Sequence, residues 1–429
     1  MIVYNNMYKR IKRKDNSVII LANSKETKAI TFEVLYKVGS RQENIKNNGV
    51  SHFLEHLMFK GTKKRPNTFN ISKELDSIGA EYNAFTGKDH TGYYIKADKK
   101  NLPLAIEMLS DMLHNSKFDK KEMDKERGVI IEEINMYEDN PIMHIEEVFE
   151  SLMYEGIDLG KSIAGPRKNI INLSRNSLYS YYKKYYYSAN SIMCLSGNFN
   201  EKNALKLINK FFPLKNKKNR LKIKQIKQTK QNNPKINIVK RNNLEQVQLV
   251  LGFKSIPKKD KKFIVTQILA NVLGGTMSSR LFLQIREKRG LCYFIKANND
   301  GYEDITSFNI QAGLNKEKIY EALKAIKVEL NKIVLEGIST EELQKAKDNI
   351  RGRLILKLES ATAKLNFYAS QELLGERIKE IEEVLMELDK VTLKQVNKIA
   401  KYIISWPKSN LAIIGPFSNK NKFLNILKN

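Results

Sequence analysis

Cysteine is nearly absent: Cys194 and Cys292 are the only two in 429 residues. Two cysteines cannot build a disulfide framework, and neither has metal-ligand spacing around it. The fold must therefore rest on its hydrophobic core, and a reducing compartment suits it. Long apolar runs are missing as well. Behind the polar, basic start Met1–Asn16 comes only the apolar stretch Val18–Ala22, far too short for a signal-peptide core or a membrane span. The expected location is the cytoplasm. Histidine is scarce, with five in the chain, so any clustering of histidines carries information.

Basic residues, by contrast, are in excess, 75 against 47 acids, for a formal charge of +28. That balance invites a nucleic-acid reading. However, Lys and Asn are spread throughout the chain, including Lys215–Lys230, and no module interleaves aromatics with bases on one surface. The charge reads as compositional drift, with only weak, salt-sensitive adhesion to acidic surfaces expected. A hydrophobic content of 41% excludes disorder of the whole chain.

A chain of this length exceeds what one core supports, so two domains are expected. The first half mixes strands at Val18–Leu21, Ala29–Val38, Ala80–Phe85, Thr91–Ala97 and Ile192–Gly197 with helices at Val50–Phe59, Ser72–Ile78, Leu102–Leu113 and Lys120–Tyr137. Pro213–Pro234, rich in Lys, Asn and Gln, reads as a linker. Strands Ile236–Val239 and Val247–Phe253 then open a second round, with helices at Lys262–Leu273, Lys316–Glu336 and Thr340–Leu358. Ser191–Phe199 and Asn410–Phe417 echo each other near the ends of the two halves. The expected organisation is a duplicated α+β unit: 1–212, a linker 213–234, and 235–429.

The sharpest local signal is Ser51-His52-Phe53-Leu54-Glu55-His56-Leu57. Helical geometry puts residues i and i+4 on one face, so both imidazoles can point at one cation. Zinc accepts two imidazoles readily, and a catalytic zinc needs a third protein ligand and an open position. Glu55 lies on the same side but rotated, which suits a carboxylate that touches water and leaves the metal to others. This is the reversed order of the His-Glu-x-x-His helix. The third ligand is sought within Glu126–Glu138: Glu126 and Glu133 share a face two turns apart, while Glu132 points about 100° away. One of the stacked pair can ligate and the other can orient a histidine. The plainer reading, a helix with two histidines and no metal, has to explain why two of five histidines sit at metal spacing.

The stretch Gly49-Val-Ser-His-Phe-Leu-Glu-His-Leu-Met-Phe-Lys-Gly-Thr62 resembles the signature of the pitrilysin and mitochondrial-processing-peptidase family. That resemblance implies a third zinc ligand 77 positions after His56, at Glu133, and an accessory glutamate seven residues earlier, at Glu126. Tyr82–Thr86 and Thr91–Tyr94 resemble the family's substrate-pairing edge strand, with Asn83, Ala84 and Phe85 as the substrate-binding residues. Gly274–Phe282 and Ile285–Tyr293 resemble its arginine/tyrosine element, which makes Arg286 and Tyr293 substrate donors. The second half has no His-x-x-Glu-His copy, so one zinc per chain follows. The implied fold is two similar α+β domains, each a mostly antiparallel sheet flanked by helices, in a half-size subunit.

The function so implied is zinc-dependent endopeptidase activity, EC 3.4.24, on peptides or unfolded segments bound as an extended strand inside a closed chamber. Glu55 serves as general base and then general acid. A homodimer is the simplest assembly, and the alternative is a catalytically inert subunit of a heteromeric processing peptidase. Between Glu126 and Asp158 stand ten acids and a single base, Arg127. If that face lines the chamber, basic peptides are favoured; otherwise it is a solvated helix surface.

Overall fold

The computed structural model describes residues 7–215, 219–222, 225–226 and 230–428. Among these, the first sheet holds β1 (Lys9–Lys12), β2 (Val18–Asn23), β3 (Ala29–Tyr36), β4 (Glu81–Thr86), β5 (Thr91–Asp98) and β6 (Ser191–Gly197), in the spatial order β1-β2-β6-β3-β5-β4. The second holds β7 (Lys235–Lys240), β8 (Gln246–Ser255), β9 (Cys292–Gly301), β10 (Thr306–Asn315) and β11 (Asn410–Gly415), in the order β7-β11-β8-β10-β9. With β1 set aside the two orders are the same. Each sheet has one parallel pair, β2 with β6 and β7 with β11, and is otherwise antiparallel. The duplicated, mostly antiparallel α+β fold is thus as expected. The echoing segments are β6 and β11, which occupy the same place in their sheets.

The two compact units are Met1–Ile134 with Lys161–Lys224 and Ile355–Glu380, and Asn135–Gly160 with Gln225–Leu354 and Ile381–Asn429. Each unit is assembled from three stretches of the chain, where the expected division was 1–212 and 235–429. The reason is that each sheet has two apolar faces to bury. On one face of the first sheet, Phe32 and Val34 pack with Phe53, Leu54 and Leu57 of helix Val50–Leu57 and with Ile106 and Leu109 of helix Leu102–Asn115. The other face is covered from late in the chain, where helix Ala361–Leu374 lays Leu365, Tyr368 and Ala369 over Val18, Ile20, Leu35 and Ile192. In the second unit, helix Pro141–Met153 sets Ile145, Val148, Phe149 and Met153 against Val250, Ala412 and Ile414. Pro213–Pro234 has no helix or strand among its described residues.

Period-2 alternation along β3 leaves one carboxylate in an apolar place. Glu33 points to the face covered by helix Ala361–Leu374, is 3% exposed, and has one oxygen with no hydrogen-bond partner among the described residues. Burial pushes its pKa up to about 7. The folded state then holds this proton more tightly than the unfolded chain does, near 4.3. The stabilising contribution is complete below that unfolded value and is lost as the pH rises through about 7. Glu33→Gln, neutral at every pH, should stabilise the protein by roughly 3 kcal/mol at pH 8 and by less than about 1 at pH 5. Urea midpoints at the two pH values measure this. A change equal at both would show that Glu33 is not the titrating group.

Candidate active site

Helix Val50–Leu57 begins at Gly49, whose φ of +101° is left-handed backbone that glycine adopts without a steric penalty. A Cβ there would lie 2.5 Å from the Ala164 carbonyl oxygen. The buried carboxylate of Glu43 closes the helix start. It accepts the backbone N–H of Gly49 at 2.7 Å and of Ser51 at 2.8 Å, and the Asn48 amide at 2.8 Å, satisfying donors that a helix N-terminus leaves open. With Phe53, Leu54 and Leu57 in the core, His52 and His56 emerge toward helix Lys120–Asp139, and Glu55 emerges toward β4.

His52 Nε2 and His56 Nε2 are 3.3 Å apart, and Glu133 Oε2 lies 3.5 Å from the first and 3.3 Å from the second. Ligand atoms held about 2.0–2.1 Å from a tetrahedral centre sit roughly 3.3 Å from one another. The triangle therefore has the dimensions of a zinc site, and two imidazoles with one carboxylate form a zinc-compatible donor set. It is the one such cluster among the described residues. Glu132, the neighbouring acid, is exposed and takes no part.

Glu126 is 4% exposed and stands behind His56, accepting from its Nδ1 at 2.9 Å while its other oxygen meets Lys60 Nζ at 2.7 Å. With the proton assigned to Nδ1 by this partner, Nε2 presents its lone pair to the triangle. His52 lacks an equivalent brace, since its buried Nδ1 has no hydrogen-bond partner among the described residues. Burial disfavours charge on His56, but hydrogen bonds and charge from Glu126 and Glu133 outweigh it and lift the pKa to about 9. Hydrogen bonds from His52 and His56 hold Glu133 well below the usual carboxylate range, against desolvation.

Glu55 is half-buried and takes no place in the triangle; its Oε2 accepts a hydrogen bond from Thr86 Oγ1 at 2.5 Å. Asn83, Ala84 and Phe85 pair with Tyr94, Tyr93 and Gly92 on β4, the edge of the first sheet. The Ala84 N–H is covered by the Asn83 side-chain oxygen at 2.8 Å. Arg286 and Tyr293 belong to the second unit. The guanidinium carbon lies 4.7 Å from the Phe282 ring centre and 5.7 Å from that of Tyr293, and Tyr293 is 70% exposed. Tyr293 is near the start of β9, which holds the edge position in its sheet that β4 holds in the first. Arg286 lies in a π-helical turn, Phe282–Glu287, a conformation frequent at functional sites. Sequence reasoning assigned no role to Glu43, Lys60 or Thr86. For Thr86 the signal was present, since it shares strand parity with Ala84.

A two-domain α+β scaffold that brings the histidine pair of a reversed-order helix against a glutamate of a second helix defines a zinc-metallopeptidase-like protein. The chain belongs to peptidase family M16. Residues 18–167 match the profile described as insulinase (peptidase family M16), and 172–350 match the one described as peptidase M16 inactive domain, the half without the histidine pair. A Bacillus subtilis protein described as the uncharacterized zinc protease YmxG is 32% identical over 96% of this chain and 99% of its own length. An uncharacterized zinc protease of Rickettsia felis is 34% identical over 94% of this chain and 97% of its own. A protease from Helicobacter pylori shares the fold, with a TM-score of 0.89, 24% identity and coverage of 95% of this chain and 99% of that one.

Proposed function

We propose that this protein is a zinc-dependent endopeptidase acting on peptides or unfolded segments, with one zinc per chain on His52, His56 and Glu133. The observation that carries this reading is the zinc-sized triangle with a non-ligating carboxylate, Glu55, one residue before His56. A zinc ion held by His52, His56 and Glu133 would supply Lewis acidity toward water and the scissile carbonyl. Glu55 takes the water proton and later delivers it to the leaving amine. Glu126 keeps His56 in its ligating tautomer. The substrate adds to the open edge of β4 at Asn83, Ala84 and Phe85, pairing through backbone groups, so its sequence preference is broad. Arg286 and Tyr293 donate to the substrate carbonyl or the developing oxyanion, worth about 3 kcal/mol per donor. The enzyme works as a homodimer in the cytoplasm and prefers basic peptides, because of the acids of 126–158.

Removing zinc with a chelator should abolish peptide hydrolysis, and stoichiometric zinc should restore it. Running the same assay on basic and acidic peptides of equal length reads the charge preference, and sizing the active species reads the pairing. Hydrolysis that persists at full rate in metal-depleted protein is the outcome the proposal does not survive.

A further inference from the structure

Strand β4 meets the histidine helix through one face only, the one carrying Tyr82, Ala84 and Thr86. The Tyr82 ring stacks on Phe59, just past the helix end, with centroids 6.4 Å apart. Ala84 is buried in the same core as Phe53 and Leu54. Thr86 donates its hydroxyl to Glu55 Oε2 at 2.5 Å. The last contact alone is polar, and among the described residues it is the only hydrogen bond to the Glu55 side chain. Oε2 is thereby occupied, and Oε1 remains free to accept a proton. A glutamate side chain turns about three bonds, whereas a β-branched threonine is stiff at χ1. A donor on a paired strand can therefore fix a carboxylate that the helix by itself leaves loose.

We infer that Thr86 is a positioning residue for Glu55. Its hydroxyl holds the carboxylate so that Oε1 faces the reacting water. Because Thr86 ends the strand on which the substrate docks, one piece of backbone sets both the substrate register and the orientation of the base. The inference rests on the endopeptidase reading. A small misplacement of a reacting group costs up to about 10²-fold in rate, so removing the hydroxyl should act on turnover and spare both metal and substrate binding.

The test compares the parent, Thr86→Val, Thr86→Ser and Glu55→Gln for zinc content, melting temperature, kcat and KM on one peptide. Thr86→Val should lose roughly 10- to 100-fold in kcat with KM, zinc content and melting temperature close to the parent, and Thr86→Ser should recover most of the loss. Should the valine variant not fold, Thr86→Ala against Thr86→Ser makes the same comparison. A raised KM at unchanged kcat would assign Thr86 to substrate docking. Lost zinc would assign it to the metal scaffold, and kcat at the parent level would remove any role; each overturns the inference. Glu55→Gln separates the two levels. If that variant is inactive while Thr86→Val keeps the parent kcat, only the positioning role fails; if Glu55→Gln cleaves at the parent rate, the endopeptidase mechanism fails first.

Discussion

Glu55→Gln should lower kcat for peptide hydrolysis by roughly 10²- to 10⁴-fold, the range a positioned acid/base group contributes, with zinc content at the parent level. Both halves of that result follow from position. Glu55 is adjacent in sequence to His56, yet its carboxylate meets Thr86 and is not one of the three groups of the triangle. Removing its charge therefore deletes no metal ligand. The amide keeps the size of the carboxylate and can still meet the Thr86 hydroxyl, so the fold has no reason to change. What is lost is the ability to accept a proton from water and return it to the leaving amine. Stopped or continuous peptide assays with zinc measured by elemental analysis on the same samples decide the matter. A variant that loses zinc together with activity would mean that Glu55 ligates.

Glu133→Ala should weaken zinc binding by more than about 100-fold and abolish hydrolysis, whereas Glu132→Ala next to it should leave both within a factor of about two. The contrast rests on geometry. Glu133 Oε2 completes the triangle at 3.3 and 3.5 Å, while Glu132 is exposed on another side of the helix. Glu126→Gln belongs between them. It removes a carboxylate that orients His56 without touching the triangle, and outer partners of this kind are worth roughly 10–100-fold in metal affinity. Competition with a chromogenic zinc chelator ranks the three. An order with Glu132 above Glu133 would contradict the proposed ligand set.

The histidine helix could be read from the chain because its chemistry is local. Four residues of spacing align His52 with His56, apolar neighbours bury the opposite side, and Gly49 stands at its start. Strands β3 and β5 could also be read, since each is short and rich in β-branched or aromatic residues, and β6 because it is a short apolar run closed by Gly197. β9 and β10 were missed. β10 is buried almost throughout yet carries Ser307, Asn309 and Gln311, so polarity along it does not alternate with exposure. The helix Pro141–Met153 gave no sign of its partner, because an apolar stripe fits any apolar face.

By itself, the chain determined which residues could be chemical: a reversed-order histidine pair, candidate glutamates a fixed number of turns apart, and two repeated halves. Backbone periodicity dictates those relations within a few turns, and no distant contact can alter them. Tertiary structure decided the rest. It brought the Glu133 carboxylate to 3.3 and 3.5 Å from the two imidazoles, brought Thr86 to Glu55, closed the helix start with Glu43, and covered each sheet with a helix drawn from a distant part of the chain. These pairings join residues tens to hundreds of positions apart, and they arise because each sheet face must be covered and each buried polar group must find a partner.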